Sequence, residues 1–407
     1  MVGCKTKSDT LSKNVLVASF LLALFVDVQT LNLIVIAAQP TLAGHFMSAA
    51  YALVVMGLFT IGTFGQRQSL LKLRLSHIAI CLLCAFWYVF TSNFVGQPSV
   101  TVLFFGVFTV SAFLLPGVIR IDMRSFLLAL IILPSIGVFY IDMVFFNEIV
   151  ETGFVSMGTC YAFLVPVLAN LVYLRFFYKN ESVFLKIVML FFAAINIYYL
   201  VLMTMYGSRG PVLCALLLIL SFFIVHVADN GKITIRKGQT YIILVCIVLI
   251  TYSFTTILQM LQEFFATFDV SLNVIDKFLR LDDRGDMTNG REKILSMTWE
   301  GIINSPLWGN GTSQFLNNTG EVYPHNFILQ MLYDGGIILT LSVMIPVLKI
   351  LIHKMRTVPK NEYICLLFLL FASVPGALFS GDLWNQGTLW MFFGFVLSRN
   401  NFSSDYM

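Results

Sequence analysis

The sequence predicts an all-α integral membrane protein that crosses the bilayer many times, and three observations carry that reading. Of 407 residues, 58% are hydrophobic and only 11% are charged, with 39 Phe and a mean hydropathy of +0.86. Soluble domains carry about 25% charged residues, so this composition cannot build a water-facing surface for a chain of this length. Apolar stretches close to the roughly 20 residues that span a hydrocarbon core recur along the chain. The basic residues also cluster in alternate connections between those stretches. The formal charge of +4 is small and dispersed, which gives no footing for a nucleic-acid partner.

About twelve spans are expected. They lie at 14–37, 47–65, 75–94, 99–118, 125–146, 154–174, 187–205, 211–228, 239–258, 335–352, 361–380 and 384–399. Assigning alternate connections to the cytoplasm collects Lys5, Lys7, Lys13, Arg67, Lys72, Arg74, Arg120 and Arg124 on that side, together with the basic residues at 175–186, 232–237, 349–360 and 399. That leaves six of the 25 Lys and Arg outside. The positive-inside rule then puts both termini in the cytoplasm. The first span is long and uninterrupted, without a small-residue cleavage site behind it, and reads as a membrane helix rather than a removable signal.

Residues 259–324 form the long hydrophilic interruption, and by the same charge pattern they face outside. The expected organisation is therefore membrane helices over 1–258, an outer loop over 259–324 and membrane helices over 325–407. Connections this long in a compact protein are usually functional. Within the loop, Ile294, Thr298 and Ile302 run beside Leu295, Trp299 and Ile303 at helical spacing, which predicts a short amphipathic helix with its apolar face on the bilayer or on the bundle. Asn289 and Gly290 turn the chain just before it, so Arg291 falls at or just before its first turn. The SPLWGNG turn at 305–311 closes it. Pro324 can open the next helix without wasting a donor, which places His325 and Asn326 in a first helical turn at the outer surface.

Seven Cys, at 4, 81, 84, 160, 214, 246 and 365, lie almost entirely in apolar spans and imply no disulfide framework. Cys81 and Cys84 have C-x-x-C spacing, but a thiol inside a membrane helix behaves as a small hydrophobe. No Gly-rich nucleotide loop, metal-spaced His or Cys cluster or Ser-His-Asp signature is present. Asn310-Gly-Thr and Asn317-Asn-Thr fit the glycosylation pattern, a cheap match in a loop rich in Asn, Gly and Thr.

A few polar residues stand out against this background. Arg209, in YGSRGP at 206–211, is the basic residue of a short outside loop, between Gly207 and Gly210, which would let a ligand approach the backbone. Its planar fork suits an anionic headgroup or a pyrophosphate; a snorkelling interfacial anchor is the alternative. Arg291 has the same two readings, with Glu292 as a competing partner, while Arg280 and Arg284 among Asp282, Asp283 and Asp286 look like a self-paired solvated run. A histidine at a helix N-terminus faces the positive end of the dipole, so His325 would stay neutral and could serve as a general base or a hydrogen-bond donor. Asp27 and Asp142 are intramembrane acids; Asp27 has Gln29 and Asn32 on its own helix and reads as either functional or part of a polar network.

SRG at 208–210 opening a membrane helix, GRxK at 290–293, SPLWGNG at 305–311 and PHNFILQMLYDGG at 324–336 together resemble the bacterial O-antigen polymerase and O-antigen ligase superfamily. The resemblance covers roughly 206–345 and extends to the remainder only in hydropathy. It implies a GT-C-like membrane glycosyltransferase of the bacterial inner membrane, active at the periplasmic face in lipopolysaccharide biosynthesis. Its donor would be an oligosaccharide on undecaprenyl pyrophosphate, with neither nucleotide sugar, metal nor other cofactor. Membrane lipids surround it, and a chain-length regulator is a conceivable protein partner. By that resemblance Arg209 and Arg291 would hold the pyrophosphate, and His325 would meet the acceptor hydroxyl or the phosphates; the resemblance carries over to these three only, and Arg284 and Asn326 are expected beside them as further substrate contacts.

The polymerase is the leading expectation and the ligase its close alternative, since paired Arg-rich outer loops of similar length are not met here. A secondary transporter or flippase is the competitor from another class. Transporters show matching halves with broken helices, and the asymmetric outer loop argues against one.

Overall fold

In the computed structural model, the described residues are 2–38, 43–66, 75–94, 109–136, 148–151, 155–206, 209–227, 233–235, 238–241, 254–267, 275, 279, 291–312 and 314–398. Arg280, Arg284 and Asp142 lie outside them. The chain divides into two compact units. One comprises Met1–Val26, His45–Ala129 and Lys293–Met407, and the other Asp27–Gly44 and Leu130–Glu292. The three-part division expected from hydropathy concerns topology rather than compactness and stays a proposal.

Among the described residues the regular structure is helical except for one antiparallel ribbon, Val225–Val227 against Ile233–Ile235, with Val225 opposite Ile235. This short ribbon apart, the all-α expectation holds for the described residues. Among the described residues four helices are long and apolar enough to cross a membrane: α7 (Met157–Phe176), α8 (Val183–Tyr206), α13 (Phe327–Thr357) and α14 (Lys360–Phe379). The other helices are α1 (Val2–Val26), α2 (Val28–Ala38), α3 (Ala43–Thr60), α4 (Leu75–Phe94), α5 (Ser111–Val118), α6 (Met123–Ile136), α9 (Arg209–Ile224), α10 (Phe254–Ala266), α11 (Arg291–Asn304), α12 (Gln314–Thr319) and α15 (Gly387–Leu397). Two expected spans change shape. The stretch 14–37 is interrupted by a turn at Asp27, and the stretch 239–258 ends inside α10, which runs on to Ala266.

The second unit is organised by α7. Ser156 caps it by accepting from the Thr159 amide, and Glu148 accepts from the Ser156 amide at 2.8 Å and from the Thr159 hydroxyl at 2.7 Å. Most of α7 is buried, and its Phe163 packs against Tyr199 of α8 with ring centroids 5.2 Å apart. Helix α8 buries Met189, Ala193, Asn196, Tyr199 and Met203, one face at helical spacing. Its opposite face exposes Ile187, Phe191, Ile197 and Val201. A helix apolar on the outside as well as the inside is built for lipid, since water would reject that face.

In the first unit, α14 and α15 are buried nearly all round. Gly394 of α15 lies where a Cβ would overlap the Phe113 carbonyl of α5, so these helices meet backbone to backbone. Lys354, expected among the charges of an inside loop, is instead buried with Glu362 at 2.5 Å, and its ammonium also donates to the Phe395 carbonyl at 2.9 Å. Burial this complete is tolerated only because the charge is paired and hydrogen-bonded.

Candidate functional site

The loop over 305–311 and the middle of α13 hold each other. Helix α13 is broken at Gly336, whose φ of 63° and ψ of −166° leave neighbouring amides without helical partners. The loop supplies them: the Ile337 amide donates to the Pro306 carbonyl at 2.9 Å and the Ile338 amide to the Leu307 carbonyl at 3.3 Å. In return the Asn310 and Gly311 amides donate to the carbonyls of Tyr333 (2.7 Å) and Asp334 (3.0 Å). Any side chain at Gly309 or Gly336 would overlap the opposing backbone. Irregular backbone is tolerated at such depth only when protein groups complete its hydrogen bonds. Asn310 also donates from its side chain to the Gly301 and Tyr333 carbonyls, so its role is to fasten the loop.

Two residues before the break, Asp334 is buried and accepts from the Trp384 indole at 2.6 Å. The Trp87 indole donates to the Asp334 carbonyl at 3.4 Å and stacks on Trp308, with centroids 5.7 Å apart. Helix α11 packs its Ile294, Thr298 and Ile302 row inward, where Ile302 joins Phe315 and Tyr333. The helix expected from the sequence is therefore present and begins at Arg291, which is half-buried.

The start of α13 differs from expectation. Its first residue is Phe327, not Pro324, because Asn326 is the cap: its side-chain oxygen accepts from the Ile328 amide at 3.0 Å and the Leu329 amide at 3.1 Å. His325 thus sits ahead of the helix rather than in its first turn, with a φ of 58°. The left-handed region is sparsely populated by non-glycine residues, although histidine is among the more tolerant. Such an outlier points toward function when its surroundings enforce it. The His325 ring lies 4.4 Å from the Tyr323 ring, and the Tyr323 hydroxyl donates to the Ser380 carbonyl at 3.2 Å.

A turn beyond the cap, Gln330 donates to Asp382 at 2.7 Å and accepts from the Leu383 amide at 2.7 Å. Asp382 further accepts from the Trp384 amide at 3.2 Å and from the Asn385 side chain. His325, Asn326, Tyr323, Gln330 and Asp382 therefore belong to one polar neighbourhood, built by the start of α13 and the turn at 380–386. Sequence reading missed Asp382 and Gln330. The available signal was a lone carboxylate between two apolar spans, in a connection too short to attract attention.

Arg209 is the first residue of α9 in the second unit, as the SRG motif predicts. Gly210 is not open to a ligand, however, because its Cα faces the Tyr161 hydroxyl so closely that a Cβ would overlap it. That glycine serves helix packing. Arg209, Arg291 and His325 share one feature: each stands at or just before a helix N-terminus, where the dipole favours an anion, although beside His325 the Asn326 side chain already takes the Ile328 and Leu329 amides. Asp27 is buried at the turn between α1 and α2. One turn on, Thr30 donates to the Ala162 carbonyl of α7 at 2.9 Å, while Gln29 is exposed. Cys84 is buried and Cys81 half-buried, both as free thiols. No group of three or more His, Cys, Asp or Glu arranged to hold a metal occurs among the described residues.

Comparison with curated proteins gives no match. Comparison with family models matches residues 193–344 to the O-antigen ligase family, a stretch holding Arg209, Arg291, His325 and the clamped break at Gly336. Over those residues the chain is similar to the O-antigen ligase family, and its described residues include four helices long and apolar enough to cross a membrane.

Proposed function

We propose that the chain is an O-antigen polymerase, a glycosyltransferase that joins oligosaccharide repeat units carried on undecaprenyl pyrophosphate at the periplasmic face of the inner membrane. The observation that carries this reading is that the matched stretch contains three residues suited to the chemistry, each at a helix start. In the reaction, a hydroxyl of the acceptor unit attacks the anomeric carbon of the donor chain. The carbon–oxygen bond to pyrophosphate breaks, and the hydroxyl proton passes to a base. Arg209 and Arg291 hold the departing pyrophosphate by charge-assisted hydrogen bonds, each worth about 1.5–3 kcal/mol. His325 takes the proton, and Asn326, Gln330 and Asp382 orient sugar hydroxyls around it. Arg284 would be a further phosphate contact. Because the donor is tethered to lipid it arrives laterally along the membrane, so a net acidic outer loop does not exclude it. Control of chain length by a partner protein belongs to the same proposal.

The second reading is the ligase, which moves finished polymer onto lipid A core, and the description of the matched family favours it. Reconstitution in liposomes with one lipid-linked oligosaccharide, with and without lipid A core, separates the two. A ladder of products from the oligosaccharide alone is the expected result. Product that forms only with lipid A core makes the chain a ligase, and no product in either case removes both readings.

A further inference from the structure

Helix α11 has three sides. Ile294, Thr298 and Ile302 face the interior; Lys293, Ser296 and Glu300 are exposed and polar; and Leu295, Trp299 and Ile303 form a second apolar row left uncovered by the described residues. Trp299 is 47% exposed and Ile303 72%. The turn that follows adds Leu307 and Trp308, the latter 64% exposed. By themselves these residues would only mark an apolar patch. Their neighbour identifies the occupant. The backbone bonds from Ile337 and Ile338 to Pro306 and Leu307 set this turn against the break at Gly336 in α13, a helix long and apolar enough to cross a membrane. From that place α13 exposes Ile337, Leu341, Ile345, Leu348 and Ile352 at helical spacing, away from its buried Leu339, Val343 and Val347. The outward row of α13 is the lipid-facing side of a span, and the apolar surface continues from its end onto Leu307, Trp308 and the uncovered row of α11.

We infer that this surface is embedded in bilayer lipid, with α11 lying in the membrane–water boundary, one side on the bundle, one in the acyl region and one in water. Tryptophans are favoured at that depth because an indole is apolar over most of its area and carries one donor. Helices of this kind sink their apolar side about 5–10 Å below the headgroups. On the reading proposed above, Arg291, the first residue of this helix, is thereby held at headgroup level, where a lipid-linked pyrophosphate travels. That consequence rests on the proposed reaction; the surface assignment does not.

The test is tryptophan quenching of the full chain in phosphatidylcholine–phosphatidylglycerol vesicles that carry a spin-labelled lipid. Trp87, Trp308, Trp384 and Trp390 are common to both proteins, so the difference between the wild-type protein and Trp299→Phe isolates the Trp299 signal. That component should be quenched about twofold more by a label near the headgroup than by one at the bilayer centre, and little by iodide in the water. Ile303→Trp in the Trp299→Phe background moves the reporter one turn along the same row and should behave alike. Quenching by iodide but not by lipid labels puts the row in water and overturns the inference. Protection from both quenchers overturns it too, by showing that protein, such as a second copy, covers the row. No substrate is present, so failure here is separate from failure of the proposed reaction.

Discussion

At the start of α9 the chain is held by shape, whereas at the start of α13 it is held by hydrogen bonds. Gly210 is pressed against Tyr161 so closely that no side chain fits, and Arg209 takes its place from that contact between helices. Asn326 instead satisfies two amides of α13 with one oxygen, and His325 is set off the helix in left-handed backbone beside Tyr323. A cation that must meet an anion needs a rigid base and free donors, which close packing behind the helix provides. A group that must exchange a proton needs a fixed ring outside the helical ladder, which the cap provides. The proposed roles of Arg209 and His325 follow this difference.

The largest expected effect comes from removing the groups themselves. His325→Ala should lower the rate of product formation by about 100- to 10,000-fold, the range for loss of a general base, with the thermal midpoint in detergent lowered only by the modest cost of Ala in left-handed backbone. Arg209→Ala should do the same, and Arg209→Lys should not restore full activity, because an ammonium cannot reproduce a bidentate fork. Normal product from all of these variants would break the comparison at its root.

Next in size is the packing at α9. Gly210→Ala should destabilise by about 1–3 kcal/mol, as overpacked sites do. Tyr161→Phe, which removes the atom nearest the new methyl group, should return much of that loss in a thermal melt. The corresponding change near α13 concerns backbone conformation. His325→Val should cost about 1–2 kcal/mol, because a β-branched residue resists left-handed backbone, whereas His325→Asn should cost far less. Equal melting temperatures for the two variants would remove the argument that this backbone selects the residue. The smallest effect is the cap: Asn326→Ala should cost about 1 kcal/mol and Asn326→Ser only a fraction of that, both read from the same melts.

Much of this was legible in the sequence for identifiable reasons. The helix start at Arg291 is announced by the Asn-Gly turn before it, whereas the span expected from 211 begins two residues earlier, at Arg209, as the SRG resemblance implied. The start of α13 was read three residues early because Pro324 and Asn326 both signal a helix N-terminus, and only the side-chain bonds of Asn326 decide between them. The amphipathic helix was evident from its two apolar rows. Which row turns inward was not, because periodicity gives the spacing of a face but not the identity of what it meets. The glycines at 335–336 were visible, but not that a loop well before them in the chain completes the broken ladder, since that pairing is a long-range fact. Asp382 escaped for the same reason: its importance lies in its bonds to Gln330 and Asn385, and no local pattern announces them. Lys354 was counted as a topological charge, although its partner Glu362 lies within reach on the next helix.

The central claim is that a hydroxyl displaces a lipid-linked pyrophosphate with help from residues at these helix starts. Its most direct test counts undecaprenyl pyrophosphate released in proteoliposomes supplied with lipid-linked oligosaccharide, alongside the glycosidic bonds formed. The account predicts equal amounts of the two, both lost together in His325→Ala. Saccharide chains that lengthen without release of the lipid pyrophosphate, or lipid-linked donor that crosses the bilayer with no new bond formed, would contradict it.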